Sequence, residues 1–142
     1  MNRQRRRRFS AQGMVEFALV GPIFFLVLLG TIEMGRLMWV NHELTNGTRE
    51  GARWASVRGE RYEEADSSNT PITPANVEEV ILDRTSALND SLSVALTWSD
   101  SDRIPGSKVT VATTYEYQPM IGTFLGIGPI TLNRQSELTI HY

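Results

Sequence analysis

The 142-residue chain contains no cysteine, two histidines and one lysine. The first absence excludes disulfides, thiolate metal sites and cysteine nucleophiles, so an exported domain must hold together by packing or by partners. With only His42 and His141, at opposite ends of the region beyond the first forty residues, a histidine-rich metal site is ruled out by count. Beyond Arg36 the chain carries eight basic residues against fourteen acidic ones, a net charge of −6, with Lys108 its one lysine. Binding to nucleic acid depends on cationic contacts to phosphate, so no nucleic-acid partner is expected. There is no glycine-flanked serine elbow and no phosphate loop after a strand, and neither histidine sits in a recognisable motif. The chain therefore reads as a non-enzyme, and no cofactor is implied.

What is present is one long apolar run. Phe17 to Ile32 (FALVGPIFFLVLLGTI) holds sixteen uncharged residues directly behind MNRQRRRRF, whose five arginines have no acid among them. At about 1.5 Å per residue the run covers roughly 24 Å, short of the ~30 Å hydrocarbon core, so Met14, Val15, Met34 and Leu37 must help it to span. Arginine clusters are retained on the cytoplasmic side. The sequence thus predicts a basic cytoplasmic leader over residues 1–11, a transmembrane helix over 12–36, and an extracytoplasmic domain over 37–142. This makes the chain a single-pass protein of the cell membrane, with lipid as its first partner. About 105 residues outside the membrane suffice for one small domain and not for two.

The helical period does not stop at Ile32. Leu37, Met38, Leu44, Gly47, Thr48, Gly51, Ala52 and Ala55 recur at spacings of three and four, which predicts one helix from about Val15 to Arg58, kinked near Pro22. Gly59 is a helix stop, and Glu60 to Thr70 reads as an exposed acidic loop whose Glu60, Glu63, Glu64 and Asp66 lack the spacing of a calcium loop. Thr73 as cap and Pro74 at the first helical position open a second, amphipathic helix over about 74–89. The period then changes to two. Leu92, Val94, Leu96 and Trp98 form one alternating set, and Val109, Val111, Thr113 and Tyr115 another, with a turn at Pro105-Gly106 between them. A connection from Gln118 to Gly128 precedes a third strand, about Ile130 to His141. The expected fold is α+β: a long N-terminal transmembrane helix extending into a small exported domain with one amphipathic helix and a three-stranded antiparallel sheet.

Ser10 to Arg36 (SAQGMVEFALVGPIFFLVLLGTIEMGR) resembles the start of TadE-like proteins, the pilin-like components of tight-adherence pilus systems. Glu16-Phe17 matches that family's Glu-aromatic pair, and Glu33-Met34-Gly35-Arg36 its acid-x-Gly-Arg close. Thr48 to Ala55 (TREGARWA) resembles the segment that follows the membrane helix, and the strand-rich end, with Tyr117-Gln118-Pro119, is also similar. The resemblance implies cleavage by a prepilin peptidase between Ala11 and Gln12, which makes Glu16 the fifth residue of the mature chain; alanine stands where the family usually has glycine before the cut. Cleavage after Gly13 would make Glu16 the third. It also implies that the Glu16 carboxylate meets the new amino terminus of a neighbouring pilin-like subunit and sets register during assembly, with Phe17 beside it. The other partners would be further pilin-like subunits and the pilus assembly platform.

Several readings stay open on the sequence alone. Glu16 also fits a place in the headgroup region near Arg8, and Glu33 with Arg36 fits the plain polar end of a membrane helix. Gly47, Gly51 and Ala55 form a ridge of small residues that fits either a seam between subunits or the place where the chain's own sheet packs. The alternatives to a pilus subunit are a membrane-tethered binding module and a secreted domain with a cleaved signal. The mature amino terminus separates them: mass analysis of the membrane-extracted protein is expected to show loss of residues 1–11, whereas loss of about thirty residues would mark a secreted protein.

Overall fold

The structure, a computed structural model, describes residues 3–58, 72–88, 91–100 and 103–140, and the side chains of all of these except 3–11, 123 and 124. The chain divides into two compact units, Met1–Arg36 and Leu37–Tyr142. Helix α1 (Arg3–Ser56) supplies the first unit and the first element of the second.

In the first unit the helix continues through Pro22, which has no amide to give the Ala18 carbonyl. The Phe17 ring lies 3.7 Å from the position a Gly21 Cβ would take, so Gly21 is covered by its own helix. Thr31 Oγ1 donates to the Val27 carbonyl at 2.8 Å. That bond satisfies a hydroxyl inside an apolar run without any outside partner.

In the second unit α1 is joined by α2 (Pro74–Arg84), β1 (Leu92–Trp98), β2 (Lys108–Tyr117), a single turn α3 (Gly122–Leu125) and β3 (Ile130–Thr139). The sheet is antiparallel in the order β1-β2-β3. Its register aligns Leu92 with Tyr115 and Trp98 with Val109 across the first pair, and Tyr115 with Leu132 and Val109 with Leu138 across the second. The alternating residues of β2 therefore form the centre of one buried face, on which Val109, Val111, Thr113, Tyr115 and Tyr117 are closed to solvent. Opposite them α1 contributes Val40, Leu44, Thr48, Ala52 and Ala55, and α2 contributes Val77 and Ile81, all buried.

Two contacts fix the helices. Gly47 and Gly51 lie directly under α2: a Cβ at Gly47 would stand 2.7 Å from Ile81 Cγ2, and one at Gly51 would stand 3.0 Å from both Ile81 Cδ1 and Val77 Cγ1. The ridge of small residues is thus occupied by the chain's own second helix, with Ala55 fully buried. The other contact is polar. Thr48 and Thr113 share a hydroxyl hydrogen bond of 2.6 Å in the core, and Arg134 of β3 donates to Thr45 Oγ1 at 3.1 Å and to Asn41 Oδ1. Buried hydroxyls are costly unless paired, so these bonds hold the sheet at one place along α1.

Departures from the expected elements have local causes. Helix α1 begins at Arg3 and ends at Ser56 rather than running from Val15 to Arg58. Within it Met38 is exposed and Val40 takes its expected place in the core. Helix α2 ends at Arg84 and not near residue 89: the Thr85 amide bonds the Leu82 carbonyl, and the Ile81 carbonyl accepts from Thr85 Oγ1 at 2.7 Å. Thr85 then turns extended, and Leu88 drops into the core. Strand β3 stops at Thr139; Ile140 instead donates to the Ser107 carbonyl at 2.8 Å and accepts from the Gly106 amide at 3.0 Å, closing the turn before β2. The Glu60 to Thr70 loop and His141 lie outside the described residues.

The Gly47 contact is directly testable. Gly47→Leu is expected to cost about 1–3 kcal/mol through overpacking against Ile81. Gly35→Leu, at a position with nothing within 4 Å, is expected to leave stability unchanged. Unfolding of the full chain in detergent, followed by tryptophan fluorescence, would compare them; equal midpoints would mean that α2 does not rest on this part of α1.

Candidate functional site

The spacing of three and four that builds an α-helix brings Gln12, Val15, Glu16 and Leu19 onto one face of α1, where they line a shallow open depression. Glu16 is the one ionisable residue between Gln12 and Ile32. It is exposed, and so are its apolar neighbours Val15 and Phe17, the latter at 72%. From Met14 to Met34 large apolar side chains stand exposed on every side of the helix, among them Phe24 and Phe25, whose rings meet edge to face at 5.6 Å. A helix that is apolar all round needs an apolar surrounding. Only 6% of its most apolar eighteen-residue window is buried, whereas the core helix of a soluble protein would be mostly covered, so α1 is a candidate membrane span.

Past the run, Arg36 Nη1 and Glu33 Oε1 pair at 3.6 Å one helical turn apart. Such pairs contribute about 0.2–0.5 kcal/mol on a helix surface. Trp39 follows, half exposed. Of the remaining sequence-selected positions, Ala11 and Gln12 lie on the helical backbone of α1. Gly47 and Gly51 lie under α2 and Ala55 is fully buried, so these positions take part in the domain's own packing.

Residues 11–53 match the TadE-like protein family. The TadE-like segment begins at Ala11, takes in the Glu16-Phe17 pair and the Glu33 to Arg36 close, and runs on through Gly47 and Gly51 to Arg53. The strand-rich end lies beyond the matched residues. No curated protein and no solved structure matches the chain.

The last turns of the TadE-like segment carry a charge cluster that sequence spacing reveals only in part. Arg53 Nε and Nη2 donate to the two carboxylate oxygens of Glu50 at 2.9 and 2.6 Å, an i,i+3 pair visible in the sequence. Arg84 of α2 stands 3.5 Å from the same carboxylate, and nothing local in the sequence announces it. The Arg53 hydrogen bonds hold the Glu50 carboxyl below the ordinary carboxylate value, with the charges of Arg53 and Arg84 adding to the effect and partial burial opposing it. Among the described residues no group of three His, Cys, Asp or Glu is placed to hold a metal ion. Through Glu50 the cluster ties α2 to α1.

Because the folded carboxyl has the lower pKa, its contribution is complete above the unfolded value, near 4.5, and is lost as pH falls through the folded one. Thermal midpoints of the chain and of Glu50→Gln, measured from pH 7 downward, are expected to differ most at neutral pH and to converge in acid. A pH-independent difference would assign Glu50 a packing role instead.

Proposed function

We propose that the chain is a non-enzymatic, single-pass pilin-like subunit that takes part in assembling a tight-adherence pilus through association of its apolar helix with other pilin-like helices. The observation that carries this reading is a TadE-like helix, bare on all sides, with a lone carboxylate near its start. Van der Waals packing and polar contacts drive helix association in lipid, where apolar surface alone gives no preference for protein over acyl chains. A carboxylate in that setting costs several kcal/mol unless it is paired or reaches water.

In this reading the five-arginine leader stays in the cytoplasm and the domain from Leu37 onward lies outside. A prepilin peptidase cuts between Ala11 and Gln12. The freed α-ammonium of one subunit then meets Glu16 of the next, which sets the axial register between helices, with Phe17 packing beside the pair. The domain supplies the surface that other pilus components meet.

Glu16→Ala and Glu16→Gln remove the charge, the second with the side chain's size kept. Both variants are expected to insert in the membrane normally and to lower co-isolation with pilus components about tenfold, the factor that corresponds to about 1.4 kcal/mol. Unchanged co-isolation would remove the carboxylate from the assembly mechanism, and recovery of the unaltered chain from the soluble fraction would remove the anchor.

A further inference from the structure

Charges within the domain are matched almost throughout. Among the described side chains beyond Arg36, Arg49 is the one arginine or lysine with no partner. Arg53 and Arg84 share Glu50, Lys108 pairs with Glu137, Arg134 is held by Asn41 and Thr45, and Arg58 and Arg103 lie over the rings of Trp54 and Trp98 at 4.2 and 5.6 Å. Arg49 is exposed, and it stands two residues from both Gly47 and Gly51, close to half a turn of helix, so it lies on the side of α1 turned away from α2. On the opposite flank α2 presents Glu79 and Asp83, also exposed and in no hydrogen bond or ion pair. Spaced i,i+4, these carboxylates are neighbours on the helix surface and repel one another. With Trp54, Val80 and Leu82 they line an open cleft of about 590 Å³ between α1 and α2. The two arginines of that cleft are already engaged, Arg58 with the Trp54 ring and carbonyl and Arg84 with Glu50, so its unanswered charge is negative.

We infer that this cleft receives Arg49 of a second copy of the chain lying beside the first. Copies anchored in one membrane point the same way and can meet by like flanks or by opposite ones. Like flanks set Arg49 against Arg49, or two carboxylates against two carboxylates; opposite flanks set the free cation against the free acids. A guanidinium offers five N–H donors in a planar fork and can answer both carboxylates at once, while its stem covers the apolar floor of the cleft. Such a contact uses different surfaces on the two copies, so it repeats along a row of subunits instead of closing as a pair. Exposed ion pairs add little affinity and act mainly on which partner and register are accepted. The inference deepens the proposed function and rests on its shared membrane, but it does not depend on Glu16.

The absence of native cysteine permits a clean test. The full chain carrying Thr97→Cys, on the exposed face of β1, would be labelled in separate batches with a donor and an acceptor fluorophore and reconstituted into phosphatidylcholine–phosphatidylglycerol vesicles, where energy transfer reads association between copies. Arg49→Glu and Asp83→Arg, each alone, are expected to lower association about threefold at low salt. Mixing the two variants, donor on one and acceptor on the other, is expected to restore it, because each then offers a charge that the other's opposite flank accepts. Absence of association in the parent, association unchanged by either substitution, or no recovery in the mixture would overturn the inference. Flotation with the vesicles reports anchorage separately: a chain that floats while its association ignores both substitutions overturns this contact alone, and a chain that does not float overturns the shared membrane beneath it.

Discussion

Two positions without side chains, Gly47 and Gly51, let Ile81 and Val77 rest directly on the backbone of α1, and the domain is assembled around that approach. Close packing between helices is gained where Cβ atoms are absent, because dispersion falls away steeply with a gap of even half an ångström. Glycine in a helix interior costs about 1 kcal/mol against alanine. Burying an isoleucine side chain contributes roughly 1.5–3 kcal/mol, so the exchange favours the glycine. Once α2 is seated, its neighbour β1 and the rest of the sheet have a surface to close upon.

The polar seam complements this contact rather than repeating it. An apolar face accepts many small slips of a sheet along a helix, since burial is not directional. A hydroxyl pair such as Thr48 and Thr113 is directional, and sliding by a residue breaks the bond between the two elements while Thr48 keeps only its own helix's Leu44 carbonyl and Thr113 the Arg134 carbonyl of the sheet. Arg134 adds a second restraint from the edge strand, reaching two turns of α1 at Thr45 and Asn41. In a chain with no cysteine, these directional bonds do part of the work that covalent links do in disulfide-bonded domains.

Helix α1 meets two kinds of surrounding with one period. Over its apolar run every face is greasy and exposed, while from Val40 onward only one face is apolar and that face is covered. A helix that is uniformly apolar and one that is amphipathic answer different solvents. Glu16 and the Glu33 to Arg36 pair stand toward the two ends of the uniformly apolar part, where ionisable groups cost least.

Hydropathy and period, both local properties, were enough for the sequence alone to determine the long apolar helix and the α+β order of the elements. The Glu16-Phe17 pair was legible through the resemblance of its surroundings to TadE-like proteins. What lies on the Gly47 and Gly51 ridge was not legible, because small residues announce a close approach and not its partner; tertiary structure put α2 there, where sequence left a subunit seam and the chain's own sheet as the choices. Likewise the exchange of Met38 for Val40 in the core, and the meeting of Arg134 with Asn41 and of Arg84 with Glu50, depend on residues far apart in the chain. Such pairings are chosen by packing as a whole, which no local pattern encodes.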